Sequence, residues 1–423
     1  MYTSIASKYN KNLPALIILV LVFFWPFGFF ILSMFFYKKK WAKLYTCFFF
    51  SLYGYSLVAS STFLDLYRYL TFLPYFESIP LSGFFNILSG GYETNLGPTG
   101  GIDFYRDLIA FLLSRFTNNG SILMMTFSFV YGVVVIKSLN LFYLRLNRNT
   151  DLLAIILIFC FFEVLGLRTI TGVRFATAAF VFYIGAREIL DSDKPHKGYL
   201  IASISLLIHF SFILPFVVLI LYNIFNVKRV YLIALLLLSL AIRELNYNLT
   251  DLIFSQLNNS IYSQRVSLYT DENVVTNTLE GFQSTVWYVS ERINILVYFS
   301  YIPIFFLMLN QKHITDKATE KVANYSLIII SLVNLFAFIP NLHERLSIIY
   351  LLFLITYVFN IYVLNSNNIR IKMISIGVIC FSTFNFLYEI RSVFYYTSPY
   401  LYIGNLITIF TNTSNESVLE LFK

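Results

Sequence analysis

The sequence predicts an all-α, polytopic integral membrane protein, with residues 1–423 forming a single membrane domain. Hydrophobic residues make up 58% of the chain and charged residues only 12%, whereas an ordinary soluble domain is about half apolar and about a quarter charged. The hydrophobic residues also occur in runs close to the length of about 20 residues that crosses a bilayer as a helix. This composition excludes a water-soluble enzyme, a disordered chain and a fibrous repeat.

Ten of these runs are candidate transmembrane helices on their own. They are 13–36, 44–62, 121–144, 152–167, 173–190, 230–243, 292–309, 322–339, 346–364 and 373–390. The stretch 198–226 is also apolar, but it is short for two full crossings. It is interpreted as two short helices or a re-entrant hairpin that turns near residues 209–215, with one long tilted helix as the alternative. The total is about 12 transmembrane segments, one pair of them short or re-entrant.

Lysine and arginine gather in the short connections between these runs. The positive connections are 38–43, 145–148, 191–197, 226–229, 310–321 and 369–372. If all six are cytoplasmic, as the positive-inside rule predicts, an even number of crossings separates each pair, and 198–226 has to return to the side it left. This rule also accounts for the net charge of +8, so no nucleic-acid partner is expected. The first run is too long for a signal peptide, and both termini are expected outside.

Two long loops, about 63–120 and 244–290, are then extracytoplasmic. Glycines are frequent in 83–101, which predicts a flexible or tightly turned segment. The stretches 103–116 and 250–269 mix apolar and polar residues and are candidate interfacial helices. The lipid bilayer is the first expected partner.

Arg168 and Arg174 flank the turn in GLRTITGVRFATAAF. The forked donors of arginine match phosphate oxygens, and a helix break at Gly172 would let both side chains converge on a lipid diphosphate. The structural alternative is that the two arginines only mark helix ends at the membrane interface.

His209 lies in the apolar run LLIHFSFILPF, where an ionisable side chain is costly and usually faces the bundle interior. It could donate a hydrogen bond to phosphate or transfer a proton. The structural alternative is a histidine bonded to backbone near the Pro215 turn.

His343, Glu344 and Arg345 stand together in IPNLHERLSIIY. Arg345 is a candidate third cation for an anionic substrate, with His343 beside it. Asn341 and Glu344 have the spacing of a capping box that opens the helix 346–364, which is the structural alternative for Glu344.

The first long loop opens with STFLDLYRYL. Its Asp65 is a candidate to orient or deprotonate an acceptor hydroxyl, and Arg68 and Tyr67 are candidates for binding phosphate and sugar. Carboxylates in a long loop are more often simply solvated, and tyrosines are common at membrane interfaces. The three cysteines have no metal-ligand spacing, so neither a metal nor a cofactor is expected.

Four stretches of this chain resemble the EpsG-like branch of bacterial polysaccharide polymerases, related to the Wzy-type O-antigen polymerases. They are DLYRY at 65–69, GLRTITGVRFATAAF at 166–180, IHFS at 208–211 and ERLSIIY at 344–350, in the family's order across nearly the whole chain. A Gln often follows the Arg of GVR in this family, and here Phe175 does. Both Arg168 and Arg174 therefore stay candidates for the functional arginine.

The resemblance implies an enzyme that joins undecaprenyl-diphosphate-linked oligosaccharide repeat units at the outer face of the inner membrane. Arg168, Arg174 and Arg345 would hold the diphosphate or sugar, and His209 would assist the leaving diphosphate. Asp65 or Glu344 would act on the acceptor hydroxyl. No metal is implied, since neutralising the leaving charge supplies much of the catalysis. A protein that regulates chain length is a possible partner.

Two other classes of protein fit the sequence. One is another multi-span glycosyltransferase, or an O-antigen ligase, with a polyprenyl-linked donor, for which a carboxylate of the first outer loop would be indispensable. The other is a flippase or transporter, which should carry charges at mid-membrane rather than at one interface.

Overall fold

The computed structural model describes residues 20–59, 65–88, 93–94, 97–98, 104–146, 151–166, 171–192, 195–225, 227–244, 292–309, 316–337, 339–411 and 416–422. These residues are almost entirely helical. Their only strands are a two-residue antiparallel pair, in which Glu93–Thr94 lies against Gly97–Pro98. The all-α prediction is confirmed for the described part of the chain.

The helices are described here in chain order. They are α1 (Pro26–Phe35), α2 (Lys40–Tyr55), α3 (Asp65–Leu70), α4 (Leu73–Glu77), α5 (Leu81–Leu88), α6 (Phe104–Leu113), α7 (Gly120–Tyr143), α8 (Leu152–Glu163), α9 (Val173–Asp191), α10 (His196–Ile208), α11 (Ile213–Phe225), α12 (Arg229–Glu244), α13 (Arg292–Leu309), α14 (Lys317–Leu335), α15 (Pro340–Leu364), α16 (Ile369–Tyr396), α17 (Tyr400–Ile403) and α18 (Leu406–Thr411). Short 3₁₀ helices occupy Phe210–Phe212 and Val418–Phe422.

Three of these helices, α7, α15 and α16, are long and apolar enough to cross a membrane. Several shorter helices are also apolar, among them α1, α8 and α10. The fold therefore fits a membrane protein, and the number of about 12 crossings stays a prediction. The most deeply buried helix is α15, whose residues from Leu346 to Tyr362 are all buried. A helix that is hydrophobic on every side belongs in the centre of the bundle.

Contacts between helix termini define one end of the bundle. It is called the Arg187 end, because Arg187 lies there near the end of α9 and pairs with Asp191 at 2.5 Å. Lys43 Nζ lies 2.6 Å from Asn140 Oδ1, which joins the start of α2 to the end of α7. Arg145 lies 3.3 Å from Asp191 and 3.2 Å from Asp316, which joins the end of α7 to the end of α9 and the start of α14. Several of the positive connections thus meet at one end, as the charge pattern predicts.

The stretch 198–226 forms two short helices, as predicted. The break is at His209, whose backbone is extended (φ −153°, ψ 119°) between α10 and the 3₁₀ turn. Each helix has 13 residues and is about 20 Å long at a rise of 1.5 Å per residue. Asn223 of α11 donates to the Tyr199 hydroxyl of α10 at 2.7 Å, so the second helix folds back along the first.

Close packing of α9 against α10 fixes where that break lies. A Cβ atom added to Gly198 would lie 2.8 Å from the Gly185 carbonyl oxygen, and one on Gly185 would collide with the backbone of Ala202. Only glycine lets the two backbones approach so closely. Because the helices are antiparallel and closely packed, His209 comes to the level of the first turn of α9. This opposite end of the bundle is called the Arg174 end.

Part of the glycine-rich segment 83–101 was expected to be flexible or tightly turned. Gly83 lies inside α5, whereas Glu93–Thr94 lies against Gly97–Pro98 as a short antiparallel pair. The predicted interfacial helix at 103–116 is present as α6. The predicted helix at 250–269 lies outside the described residues.

Candidate functional site

Arg174 lies in the first turn of α9, at the end of the bundle that carries His209. The helix begins at Val173 with Gly172 as its N-cap, so a helix boundary lies at Gly172, and the convergence of Arg168 with Arg174 stays a prediction. The Arg174 Nε donates to the Tyr69 hydroxyl at 3.0 Å. The first long loop therefore returns over the Arg174 end of the bundle and touches the arginine motif.

Phe175 brings two of the predicted site residues together. Its ring meets the His209 ring edge to face, with centroids 5.9 Å apart. The Arg345 guanidinium lies over the same ring at 5.9 Å, at the outer limit of a cation–π contact. His209 and Arg345 thus meet at one aromatic side chain in the first turn of α9, the turn that also carries Arg174.

The hydrogen bonds of His209 determine its neutral tautomer. The backbone amide of Ser211 donates to Nδ1 at 3.2 Å, and the Ser211 hydroxyl lies 3.0 Å from the same atom. A backbone amide can only donate, so Nδ1 carries no proton and the neutral ring carries its proton on Nε2. His209 therefore caps the 3₁₀ turn through Nδ1, as the structural alternative holds.

His343 is only 8% exposed and links three helices. Its Nδ1 lies 3.0 Å from the Val333 carbonyl oxygen of α14, and its Nε2 lies 2.8 Å from Asn294 Oδ1 of α13. Both ring nitrogens therefore have partners within the protein. This favours a structural role for His343 over the predicted contact with substrate.

The capping-box explanation of Glu344 is wrong. The helix does not open at residue 346 but at Pro340, and Ile339 is its N-cap without any side-chain cap bond. Proline at the first position already suits a helix start, since its fixed φ is helical and it has no amide to satisfy. Glu344 is half-buried in the second turn, and its predicted action on the acceptor stays a prediction.

The other predicted site residues belong to the loop and the turn. Tyr67 and Arg68 are exposed on α3, with Tyr67 38% exposed. Asp65 is the first residue of α3, but its side chain lies outside the described residues, and so does Arg168. Their predicted roles are therefore untouched by the structure.

The sequence analysis missed two polar groups near this part of the bundle. Arg243, at the end of α12, donates to Asn334 Oδ1 at 3.2 Å and to the Tyr298 hydroxyl at 2.7 Å. In the sequence, Arg243 stands out only as the last residue of the apolar run 230–243, so it was interpreted as the end of a transmembrane segment. Glu163 is 6% exposed and accepts a hydrogen bond from Asn385 Nδ2 at 2.5 Å. A glutamate inside an apolar run was a signal that could have found it.

A cavity of about 310 Å³ lies between α8, α13, α15 and α16. Its lining is apolar except for Glu163, Ser300 and Ser382, and it includes none of the arginines around Phe175. Among the residues that the structure describes, no group of three or more His, Cys, Asp or Glu side chains is placed to hold a metal ion. The arrangement at this end of α9, with the guanidinium of Arg345 and the imidazole of His209 at Phe175 and Arg174 in the same turn, is chemically suited to an anion.

No family model, curated protein or solved structure matches this chain.

Proposed function

We propose that this chain is a metal-independent glycosyltransferase that polymerises undecaprenyl-diphosphate-linked oligosaccharide repeat units at the outer face of the bacterial inner membrane. The observation that carries the proposal is the contact of Phe175 with both His209 and Arg345, which brings these two residues to the first turn of α9, where Arg174 also lies. Two fixed cations and an N–H donor at the rim of an apolar bundle suit a ligand with an anionic head and a lipid tail.

The reaction breaks the glycosidic bond between the growing chain and its lipid diphosphate. A hydroxyl of the next repeat unit attacks the sugar carbon, a new glycosidic bond forms, and undecaprenyl diphosphate leaves. Arg174 and Arg345 stabilise the negative charge that develops on the leaving oxygen, and Nε2–H of His209 donates to it. The acceptor proton passes to a carboxylate, for which Asp65 and Glu344 are the candidates.

The proposal places the Arg187 end in the cytoplasm and the Arg174 end outside. Basic residues in the connections at the Arg187 end have the distribution of cytoplasmic loops. The α3 helix of the first long loop would then cover the outer face, where its Tyr69 touches Arg174.

A transporter is less well supported than an enzyme. Alternating access requires one end of the bundle to open and then the other. At the Arg187 end, Arg145 joins the termini of three helices through Asp191 and Asp316, which favours an end that stays closed. Another glycosyltransferase or a ligase with a polyprenyl-linked donor is the second candidate, and for it a carboxylate of the first outer loop, rather than the arginines, would be indispensable.

The test compares a strain deleted for this chain with strains that carry the wild type, Arg174→Ala or Arg345→Ala. Surface glycan is resolved on a gel, and each protein is quantified in the membrane. Arg370→Ala is the matched control, because Arg370 is exposed at the start of α16. We expect a ladder for the wild type and control, and single repeat units for the deletion and the two site variants.

Two results would count against the proposal. If the deletion removes even the single unit, the chain acts earlier, as a sugar transferase or flippase. If both arginine variants give a normal ladder, the site around Phe175 does not bind the diphosphate, whatever the enzyme class.

A further inference from the structure

The short helix α3 turns a different tyrosine toward the site than the sequence suggested. Tyr67 and Arg68 were the predicted binding residues, and both are exposed. Leu66 and Tyr69, three positions apart and thus on one face of a helix, are 1% and 3% exposed. Tyr69 is the residue of this motif whose hydroxyl accepts a hydrogen bond from Arg174 Nε.

The Tyr69 ring packs edge to face against Phe127 of α7, with centroids 6.0 Å apart, and Tyr105 of α6 in turn packs against Phe127 at 5.4 Å. The Leu70 backbone carbonyl lies directly against Gly120, where no side chain would fit. Because α3 is seated on α7 in this way, the Tyr69 hydroxyl has a defined position relative to α9.

A bond to Nε controls the direction of a guanidinium more than its charge. The group is planar, so fixing Nε fixes the plane and the direction of the two terminal nitrogens. These terminal nitrogens form the fork that matches two phosphate oxygens. A neutral hydroxyl orients this fork without cancelling its charge, whereas a carboxylate in the same place would do both.

We propose that Tyr69 is a positioning residue, which holds the Arg174 guanidinium so that its fork faces the diphosphate of the lipid-linked substrate. The inference rests on the proposed function and adds to it a residue that acts only through Arg174. It also predicts that the first long loop sets the affinity of the site, since Tyr69 belongs to that loop.

The experiment uses the full-length chain in proteoliposomes and, as substrate, the lipid-linked single repeat unit extracted from the deletion strain. Initial rates at increasing substrate concentration are measured for the wild type, Tyr69→Phe, Arg174→Ala and the double variant. The control is Tyr45→Phe, which also removes a buried hydroxyl bond, here to the Pro26 carbonyl at 2.7 Å, in another part of the bundle.

Tyr69→Phe should lower kcat/KM by about tenfold, the scale of one hydrogen bond to a charged group. Arg174→Ala should lower it further, and the double variant should be no worse than Arg174→Ala alone, because Tyr69 acts through Arg174. Tyr45→Phe should keep the wild-type kcat/KM. The thermal midpoint of Tyr69→Phe should match that of the Tyr45→Phe control.

Three results would overturn the inference. They are a wild-type kcat/KM for Tyr69→Phe, a double variant whose loss is the product of the two single losses, and a Tyr69→Phe protein much less stable than the control. Each of these leaves the proposed function standing if Arg174→Ala is inactive. If the deletion strain accumulates no lipid-linked unit, or Arg174→Ala is fully active, the proposed diphosphate site fails and the inference falls with it.

Discussion

The two arginines of α9 lie at opposite ends of the same helix and have different partners. Arg187 is 3% exposed and forms an ion pair with Asp191, one turn away, at 2.5 Å. Asp191 is shared with Arg145, which also pairs with Asp316. Arg174, in the first turn, donates from Nε to the hydroxyl of Tyr69. One helix thus carries a cation paired with the carboxylate of Asp191 and a cation whose Nε is bonded to a neutral hydroxyl.

The difference separates what an arginine does for the fold from what it can do for a ligand. A carboxylate neutralises a buried guanidinium and makes its burial tolerable, but the pair then attracts anions only weakly. A phenol hydroxyl or an aromatic ring orients a guanidinium and leaves its charge. We therefore interpret the Arg187 end as a structural clamp and the Arg174 end as the place where an anion binds.

The largest effect should come from breaking the clamp. Arg187→Ala leaves Asp191 without its closest cation and opens a space inside the bundle, so we expect a loss of about 3–5 kcal/mol of stability. The variant should be scarce in the membrane and should melt early in detergent. The glycan made per molecule of folded protein should stay close to the wild-type value, because this end does not touch the substrate.

Arg187→Lys serves as the control, since it keeps the charge beside Asp191 and should recover part of the stability. The comparison of the two ends would be wrong if Arg187→Ala were abundant and stable but inactive. Such a result would place Arg187 in the catalytic machinery rather than in the clamp.

The next effect concerns His209, which has both a structural and a chemical candidate role. Asparagine also accepts hydrogen bonds from following backbone amides, so His209→Asn should preserve the cap on the 3₁₀ turn. It cannot transfer a proton near neutral pH, and its activity should fall by about a hundredfold if the imidazole assists the leaving group. Ladder formation and membrane abundance are measured together.

His209→Ala is the companion variant, because it removes the cap as well as the donor and should also reduce abundance. An active and abundant His209→Asn protein would show that the cap is the whole role of His209. The site at the Arg174 end would then consist of arginines alone.

Much of the helical framework follows from the sequence, because each long element repeats its apolar signal over many residues. The hairpin at 198–226 was predicted from a different kind of regularity, the parity of positive connections. The extended backbone of His209 marks the break between its two helices. The apolar runs and the parity of the positive connections are both averaged over many residues, so one exceptional side chain does not change them.

The site was less predictable, because it depends on the orientation of single side chains. A six-residue helix such as α3 is too short for its pattern to show which face is buried, so Tyr67 was chosen where Tyr69 makes the contact. The spacing of Asn341 and Glu344 suggested a cap, but Pro340 starts the helix earlier. Arg345 reaches Phe175 from 170 positions away in the sequence, and local patterns carry no information about such a contact.

The smallest expected effect is the pH dependence of stability that Asp316 gives to the Arg187 end. Burial by itself would raise the pKa of Asp316, but bonds from the Thr319 hydroxyl and the backbone amides of Ala318 and Thr319, together with Arg145, lower the pKa below its usual 3.8. At pH values near and between the two pKa values, the folded carboxyl therefore binds fewer protons than the unfolded one. Its contribution to the free energy of unfolding is complete above the unfolded pKa and is lost as pH falls through the lower folded pKa.

Asp316→Asn isolates that contribution, since asparagine is as good an N-cap as aspartate but carries no charge. Near neutral pH the variant should lose only about 0.5 kcal/mol, because the pair with Arg145 is partly exposed. Thermal midpoints in detergent, measured from pH 7 down to about pH 3, should converge for the two proteins as the wild-type carboxylate becomes protonated. Equal midpoints for the two proteins across this whole range would mean that Asp316 acts only as a cap, and Arg145 would then depend on Asp191 alone.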